Sequence, residues 1–297
     1  MVQIIDGKAI AEEIRGDLKV QIADLARRKI VPGLAVVLVG ENPASQVYVR
    51  RKKKTCAELG IASFSYELPA SCTEKRLLGL IGRLNNDDRV HGILVQLPLP
   101  KQIDEQKVLL AIDPEKDVDG FHPRNVGRML AGNPGFLPCT PAGCRELLVR
   151  SGHGPEGKHV VIVGRSNIVG KPLAAILMQK APGADATVTV CHSRTKDLAK
   201  ITRTADILVA AIGVPLFVKA DMVKKGVVVI DVGVNRIEDK TAKSGTRLIG
   251  DVDFDKVSKK AAAITPVPGG VGPMTITMLM KNTIQSAMTR ANTKNRK

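Results

Sequence analysis

The fold of this chain is decided by residues 157–172, which read Gly-Lys-His-Val-Val-Ile-Val-Gly-Arg-Ser-Asn-Ile-Val-Gly-Lys-Pro. The β-branched run at 160–163 is typical of a strand buried on both faces of a parallel sheet. Gly164 ends that run, Gly170 follows six residues later, and Pro172 stands at the start of a helical apolar pattern. Strand, glycine turn and helix in this order predict a dinucleotide-binding element, because glycines let the backbone approach a pyrophosphate and a helix N-terminus attracts its charge.

The turn after the next predicted strand indicates which dinucleotide is bound. The strand at 187–190 leads into Cys-His-Ser-Arg, without the acidic residue that usually accepts hydrogen bonds from the ribose hydroxyls of NAD. Ser193, Arg194 and Arg165 instead offer a hydroxyl and two cations, which suit a 2′-phosphate. This pattern favours NADP, although an ordinary solvated basic turn would have the same composition.

The composition is that of an ordinary globular protein. The chain has 297 residues, 44% of them hydrophobic and 25% charged, which is enough for two domains with separate cores. No apolar run is long enough for a membrane span, the first residues do not resemble a signal peptide, and the five cysteines lack metal-ligand spacing. We therefore expect a cytoplasmic protein with no resident metal and no membrane partner.

The net charge of +16 requires an explanation in terms of partners. Basic residues are spread along the chain, apart from a dense run at 50–54 and a basic tail at 294–297. No nucleic-acid-binding signature accompanies them, and aromatic residues, at 2% of the chain, are too few to stack on single strands. We therefore predict anionic small molecules as partners, and no nucleic acid.

Strand-like and helix-like segments alternate along the chain, which predicts an α/β architecture with mainly parallel sheets. We predict an N-terminal α/β catalytic domain at 1–138 and a Rossmann-like NADP-binding domain at 139–273, in which Thr140 caps the first helix. A last helix at 274–290 is expected to pack back on the first domain and complete it. The predicted strands lie at 34–39, 64–68, 92–97, 160–163, 187–190, 207–211, 227–232 and 262–265.

The first domain carries a lysine in an unusual setting. Ser45 is expected to begin a helix that runs to about residue 59, and Tyr48 and Lys52, four residues apart, project from one face of it. Neighbouring cations and partial burial both disfavour the charged form of Lys52, which is how a lysine becomes a proton carrier near neutral pH. Taken alone, the segment also fits a solvated basic helix face.

Two polar segments of the first domain also have the character of a site. Gln96 lies at the carboxyl end of the buried strand at 92–97, where open α/β sheets place their ligand groups. Asp117 and Asp119 alternate in a glycine-bounded turn and can face an incoming ligand. A metal is the weaker interpretation of these aspartates, because a calcium loop would continue with further oxygen ligands and a glutamate.

A loop rich in glycine and proline follows the last predicted strand at 265–275. Three glycines among three prolines make this loop rigid, with unusual backbone conformations. In this position it can cover the nicotinamide side of a nucleotide-binding domain, and a domain hinge would have the same composition.

Five motifs occur together and in order along the chain. They read Asn42-Pro-Ala-Ser-x-x-Tyr-Val-x-x-Lys52, Gly92-Ile-Leu-Val-Gln-Leu-Pro-Leu-Pro100, Pro114-x-Lys-Asp-Val-Asp-Gly120, Gly164-Arg-Ser-x-x-Val-Gly-x-Pro172 and Pro266-Val-Pro-Gly-Gly-Val-Gly-Pro-Met-Thr275. As a set they closely resemble the bifunctional methylenetetrahydrofolate dehydrogenase/methenyltetrahydrofolate cyclohydrolase family. The likeness covers nearly the whole chain, from Ile4 to the last helix.

The resemblance implies two successive reactions in one cleft. Hydride passes from the methylene carbon of methylenetetrahydrofolate to NADP, and water then opens the methenyl ring to give formyltetrahydrofolate. Lys52 is implied to handle the proton of the hydrolytic step, oriented and tuned by Gln96. Tyr48 is implied to stack on or hydrogen-bond the folate, and Asp119 to bind the pterin.

The resemblance also implies where the cofactor binds and how the chain assembles. It assigns NADP to Gly164, Arg165, Ser166, Ser193 and Val234, in addition to the Arg194 that the composition of the second turn indicates. It assigns Gly269, Gly270 and Pro273 to a loop near the folate and the nicotinamide. Members of the family are usually homodimers, so a homodimer is implied here, and the stretch at 240–244 is interpreted as a small loop extension.

Two other functions stay open on the residues alone. Another NADP-dependent two-domain dehydrogenase, of the shikimate or amino-acid type, would transfer hydride without hydrolysis and would leave Tyr48 and Gln96 unexplained. A non-catalytic NADP-sensing or nucleic-acid-binding protein would use the net charge. It would bind DNA or RNA with a steep salt dependence and would tolerate the loss of Lys52.

Overall fold

The structure is a computed structural model that describes residues 1–239, 241 and 245–294. The chain divides into two compact units, Met1–Glu12 with Cys139–Thr275, and Glu13–Pro138 with Ile276–Lys297. The loop extension expected at 240–244 lies outside the described residues except for Thr241, and the basic tail beyond residue 294 also lies outside them.

Strands and helices alternate along the described chain, which confirms the α/β class. The strands, in chain order, are β1 (Gln3–Ile4), β2 (Gly33–Val39), β3 (Ala62–Leu68), β4 (Gly92–Val95), β5 (His159–Val163), β6 (Thr187–Cys191), β7 (Ile207–Ala210), β8 (Val228–Asp231), β9 (Asn235–Glu238), β10 (Thr246–Ile249) and β11 (Ala263–Ile264). The α-helices are α1 (Gly7–Arg27), α2 (Pro43–Leu59), α3 (Glu74–Asn86), α4 (Glu105–Ala111), α5 (Pro123–Leu130), α6 (Cys139–Arg150), α7 (Gly170–Leu177), α8 (Leu198–Thr202), α9 (Phe254–Val257) and α10 (Val271–Lys294). None of the helices in the described residues is both long enough and apolar enough to cross a membrane.

The unit that contains Cys139–Thr275 is built on a six-stranded sheet in the order β1-β11-β8-β7-β5-β6, and every neighbouring pair runs parallel. The residues of β7 and β8 are buried throughout, as expected for strands covered on both faces. The chain passes from β5 to β6 on one side and then to β7 on the other side of β5. Open sheets of this kind bind ligands at such a reversal, at the carboxyl ends of the strands.

Some elements of this unit differ from expectation. The two-residue strand β1 pairs with β11, and β9 pairs antiparallel with β10; neither feature was predicted. Helix α6 begins at Cys139, so the prediction that Thr140 caps it is wrong: Thr140 lies inside the first turn, and its Oγ1 lies 2.9 Å from Thr275 Oγ1. Helix α10 begins at Val271 rather than at 274, because Pro273 is tolerated in the first turn of a helix.

The other unit is built on a three-stranded parallel sheet in the order β3-β2-β4. All seven residues of the central strand β2 are buried. Helix α3 covers the sheet with an apolar stripe at helical spacing, which comprises Leu77, Leu80, Ile81 and Leu84. Because β2 and β4 run parallel, the segments that follow them begin at the same end of this sheet.

From Ile276 onward, helix α10 completes the unit that contains the three-stranded sheet, which corresponds to the predicted first domain. Asn282 Nδ2 donates hydrogen bonds to Val118 O at 2.8 Å and to Leu137 O at 2.9 Å, and Ser286 Oγ donates to His91 O at 2.6 Å. These buried side chains satisfy backbone carbonyls of segments far away in sequence. They confirm that the C-terminal helix packs back on the first domain.

Candidate active site and nucleotide site

The helix that carries the predicted lysine, α2, is fixed at its start by an asparagine. Asn42 Oδ1 accepts the backbone N–H of Ser45 at 3.1 Å, and Pro43 occupies the first helical position, where a proline fits well. The prediction that Ser45 caps the helix is therefore wrong. Ser45 lies inside the first turn, is buried, and donates its hydroxyl to Leu97 O at 3.4 Å, just beyond β4.

Lys52 is buried and hydrogen bonded at the edge of the three-stranded sheet. Lys52 is only 7% exposed, and its Nζ donates a hydrogen bond to Gln96 Oε1 at 3.0 Å. Gln96 directly follows β4, donates its backbone N–H to Val37 O at 2.8 Å and donates its Nε2 to Leu97 O at 2.9 Å. The Gln96 amide is thus held with its oxygen towards Lys52.

The interpretation of this segment as a solvated basic helix face is wrong for Lys52 and correct for three of the neighbouring cations. Arg50, Arg51 and Lys54 are exposed on the same helix, whereas Lys52 faces the sheet. One helical turn beyond Lys52, burial raises the pKa of the Cys56 thiol to about 12. Cys56 is therefore protonated at neutral pH and supplies no nucleophile.

The structure places the other two predicted residues of this site in the same unit as Lys52 and Gln96. Tyr48 is half-buried and lies one turn before Lys52 on α2. Asp119 is half-buried in the turn that follows a parallel bridge between Asp117 and Ile93 of β4. The turn is anchored from below, since Asp117 Oδ2 accepts the backbone N–H of His122 at 2.8 Å.

The nucleotide site predicted from the sequence corresponds to a cavity of about 390 Å³ in the unit built on the six-stranded sheet. Its lining comprises Val163, Gly164, Arg165, Ser166, His192, Ser193, Leu198, Ala211, Ile212, Val214 and Phe217. Four of the predicted NADP residues, Gly164, Arg165, Ser166 and Ser193, are thus brought together. Arg194 and Val234 are exposed and are not among the residues that line the cavity.

The first turn that lines this cavity allows a ligand to come close to the protein backbone. Gly164 has a φ of +133°, and a Cβ there would collide with Ala211 O. A Cβ on Gly170, at the start of α7, would collide with Gly164 O. Ser166 Oγ accepts the N–H of Val169 at 3.1 Å and so shapes the beginning of the helix. This glycine turn at a helix N-terminus fits a pyrophosphate.

The second turn of the cavity carries the groups expected for a 2′-phosphate. His192 N donates to Thr195 Oγ1 at 2.9 Å, and Arg194 N donates to His192 Nδ1 at 3.1 Å, which fixes the turn. Ser193 is exposed at its tip. None of the described residues that line the cavity carries a carboxylate, so NADP meets no like charge there.

Sequence reasoning missed the wall of the cavity beside the glycine turn. This wall follows β7 and includes Ala211, Ile212, Val214 and Phe217. The available signal was their position at the carboxyl end of a predicted parallel strand beside the glycine turn.

The glycine- and proline-rich loop belongs to the same unit as the nucleotide cavity. Gly269 has a φ of +114°, and Gly270 N donates to Pro266 O at 2.9 Å. Gly7 packs directly on Gly270 O, where a Cβ would collide. Pro273 lies in the first turn of α10. No group of three or more metal-binding side chains occurs within the described residues.

Comparison with known proteins agrees with this arrangement. The family model for the catalytic domain of tetrahydrofolate dehydrogenase/cyclohydrolase matches residues 5–119, and the model for its NAD(P)-binding domain matches residues 138–291. The chain belongs to the tetrahydrofolate dehydrogenase/cyclohydrolase family. The resemblance carried by the five motifs is therefore confirmed, and it prevails over the shikimate- and amino-acid-type dehydrogenases.

Individual members of this family are similar over their full length. The bifunctional protein FolD of Acetivibrio thermocellus is 55% identical over 292 residues, which cover 98% of this chain and 99% of that protein. The crystal structure of the bifunctional enzyme from Campylobacter jejuni is 52% identical with a TM-score of 0.91, covering 98% of this chain and 100% of that one. The Trypanosoma brucei enzyme, solved with NADP cofactor and an inhibitor, is 45% identical with a TM-score of 0.92, covering 97% and 98%.

Proposed function

We propose that this protein oxidises methylenetetrahydrofolate to methenyltetrahydrofolate with NADP and then hydrolyses the methenyl compound to formyltetrahydrofolate. The observation that carries this proposal is the 3.0 Å hydrogen bond between Nζ of the buried Lys52 and Gln96 Oε1. A lysine that is desolvated and held by a neutral acceptor can give and take a proton near neutral pH, which a solvated lysine does poorly.

The dehydrogenase step needs the nucleotide cavity. NADP, when bound, supplies the acceptor for the hydride. Gly164 and the N–H groups at the start of α7 would hold the pyrophosphate, with Ser166 shaping that turn. Arg165, Ser193 and Arg194 would bind the 2′-phosphate, since guanidinium groups and hydroxyls are good partners for phosphate oxygens.

The remaining assigned positions of this unit belong to the nicotinamide end. Val234 is exposed beyond β8 and would contact the cofactor there. Gly269, Gly270 and Pro273 would border the folate and the nicotinamide, with the glycines giving space for close approach.

The hydrolytic step is served by Lys52. The methenyl carbon lies between two nitrogens and is electron-poor, so water attacks it as the C–O bond forms. Neutral Lys52 Nζ takes one proton of that water and later gives it to the ring nitrogen, which receives the electron pair of the C–N bond as that bond breaks. The remaining hydroxyl proton leaves to solvent as the C=O bond of the formyl group forms, and this is the net proton that the reaction releases. Gln96 Oε1 accepts one N–H of Nζ and so directs its lone pair. Tyr48 would contact the folate and Asp119 would bind the pterin.

The division of labour follows the predicted domains. Residues 1–138, completed by the helix at 274–290, would bind the folate, and residues 139–273 would bind NADP. In the structure the strand β1 pairs with β11, which groups Met1–Glu12 with the nucleotide unit. We therefore assign β1 to the support of the nucleotide-binding sheet.

The proposal is tested by absorbance assays of the purified protein in two separate reactions. With methylenetetrahydrofolate and NADP we expect NADPH to appear, and with methenyltetrahydrofolate alone we expect its absorbance to decay faster than in buffer. NADPH formation without accelerated decay would leave a dehydrogenase alone and would contradict the second activity. Absence of both would contradict the function altogether.

We further propose that the protein is a cytoplasmic homodimer that does not bind nucleic acid. The family resemblance supports the dimer, and the dispersed basic charge supports small anionic ligands rather than DNA or RNA. Light scattering should give twice the 31.8 kDa mass of one chain. A monomer at micromolar concentration would contradict the assembly without affecting the assigned chemistry.

A further inference from the structure

Two buried aspartates lie at the carboxyl end of the six-stranded sheet, in positions that the proposed chemistry does not use. Asp231 is the last residue of β8 and is 3% exposed, and Asp251 follows β10 and is 0% exposed. A carboxylate removed from water is costly unless its oxygens accept hydrogen bonds. The partners of these two carboxylates therefore show what they hold in place.

Asp251 holds the backbone that forms the wall of the nucleotide cavity. Its Oδ2 accepts the N–H of Ile212 at 2.7 Å and the N–H of Gly213 at 2.8 Å, and its Oδ1 accepts Asn235 Nδ2 at 2.8 Å. Ile212 itself lines the cavity, and Val214 follows directly. The segment after β7 is thus tied at two successive amide groups to one side chain.

Asp231 in turn holds Asp251. Its Oδ1 accepts the N–H of Asp251 at 2.9 Å and its Oδ2 accepts the N–H of Val252 at 2.9 Å. Two glycines make this packing possible, because a Cβ on Gly233 would collide with the Asp251 carboxylate and a Cβ on Gly250 would collide with the Asp231 carboxylate. Through these hydrogen bonds the two carboxylates connect the end of β8 to the backbone segment that forms the cavity wall.

We propose that Asp251 is a positioning residue for NADP binding, and that it acts by fixing the Ile212–Gly213 backbone through hydrogen bonds while Asp231 fixes Asp251. The proposal rests on the assignment of NADP to the cavity beside Gly164. Burial raises the pKa of Asp231 to about 6, so its ionised form costs folding free energy at neutral pH. Because Asp231 lowers the folding free energy gained at neutral pH, its presence is better explained by the backbone segment that it positions than by a gain in stability.

Variants of Asp251 separate hydrogen bonding from charge. Asp251→Ala frees both amides and should weaken NADP binding tenfold or more, measured as the dissociation constant by fluorescence or calorimetry. Asp251→Asn can still accept both amide N–H groups with its oxygen, while its NH₂ donates to an Asn235 amide that has turned over. It should bind NADP within about threefold of the wild type, a rescue that tells positioning from a need for negative charge.

A matched control removes an aspartate from the opposite edge of the same sheet. Asp206 precedes β7 and accepts the N–H of His159 at 2.9 Å and Lys224 Nζ at 2.6 Å. Asp206→Ala should lower the unfolding temperature and leave the NADP dissociation constant unchanged. Methenyl hydrolysis should persist in Asp251→Ala, because Lys52 belongs to the other unit. A cooperative unfolding transition of this variant shows that its nucleotide unit is folded.

The outcomes distinguish this proposal from the proposed function. An unchanged NADP dissociation constant in Asp251→Ala, or equal weakening in Asp251→Ala and Asp206→Ala, would overturn the positioning role. If Arg165→Ala also leaves NADP binding unchanged, the assignment of the cavity itself fails; if Arg165→Ala weakens it, only the role of Asp251 fails.

A second pair of variants serves if Asp251→Ala does not fold. Asn235→Leu leaves the Asp251 Oδ2 contacts intact and should bind NADP nearly as the wild type does. Adding Asp251→Asn to it leaves the new amide group without its acceptor, so the double variant should bind at least fivefold more weakly than either single variant. Additive effects of the two substitutions would overturn the proposal.

Discussion

At the scale of single residues, we expect the charge of the side chain at position 96 to control proton transfer by Lys52. A neutral amide oxygen 3.0 Å from Nζ accepts a hydrogen bond without adding a negative charge. In Gln96→Glu a carboxylate would stand at that distance and stabilise the protonated amine. We predict that methenyl hydrolysis at neutral pH falls about tenfold or more, and that the remaining rate rises with pH above the wild-type range. The pH profile of hydrolysis measures both effects.

The control for this variant is the same chemical change at an exposed position. Gln106 lies on the exposed side of α4, so Gln106→Glu should leave the pH profile unchanged. A profile of Gln96→Glu that matches the wild type would mean that the state of Lys52 does not depend on its partner.

Asp231 gives a second prediction at this scale, in the pH dependence of stability. Its folded-state pKa of about 6 lies above the ordinary value of 3.8, so the folded protein binds this proton more tightly than the unfolded chain does. The stability from this group is present at low pH and is lost as the pH rises through about 6. Asp231→Asn lacks that loss. Between about pH 4 and about pH 7 its unfolding free energy should therefore rise relative to wild type by up to about 3 kcal/mol.

Urea unfolding at a series of pH values provides the measurement. The exposed Asp255 of α9 offers a matched control as Asp255→Asn. A difference between Asp231→Asn and wild type that stays constant with pH would show that Asp231 titrates in the folded protein as it does in the unfolded chain.

At the scale of elements, helix α10 is attached to its unit by polar side chains as well as by apolar packing. Asn282 Nδ2 serves the carbonyls of Val118 and Leu137, both of which would lose a donor in Asn282→Ala. We predict a loss of about 2–4 kcal/mol in unfolding free energy, because the substitution removes two hydrogen bonds of a buried side chain. Denaturant unfolding measures this loss. Asn292→Ala, near the exposed end of the same helix, should change it by less than about 0.5 kcal/mol, and an equal effect of both would contradict the account.

Sequence patterns predicted the elements whose own residues determine them. The strands β2, β4, β5, β7 and β8 consist mainly of β-branched or apolar residues, and each overlaps its predicted range. Strand β4 ends at Val95 rather than at 97, so Gln96 lies just beyond the strand. The strand β1 has two residues and exists because β11 pairs with it, which no local pattern shows. The hairpin of β9 and β10 has the same origin in pairing. The predicted helix starts at Ser45 and Thr140 were wrong, because α2 begins at Pro43 and α6 begins at Cys139.

At the scale of the whole molecule, the position of the candidate site residues was predictable because they follow the carboxyl ends of parallel strands, whereas the chemistry was implied by the family resemblance of the five motifs. Gly164 follows β5 of the six-stranded sheet and Gln96 follows β4 of the three-stranded sheet, and each parallel sheet places such positions at the carboxyl ends of its own strands. The contribution of Asp251 was not predictable, since its partners, Ile212 and Gly213, are about forty residues earlier in the chain and are reached only through the fold.

Hydrolysis rates of matched lysine variants test whether buried Lys52 carries the proton of methenyl hydrolysis. The rate of methenyltetrahydrofolate hydrolysis is compared in wild type, Lys52→Met and Lys54→Met, with the NADP dissociation constant measured for each. Lys54 is exposed on the same helix and provides the matched control. We predict that Lys52→Met loses about a hundredfold or more of the rate while it still binds NADP, and that Lys54→Met retains the full rate. A wild-type rate of hydrolysis in Lys52→Met would show that Lys52 does not carry this proton.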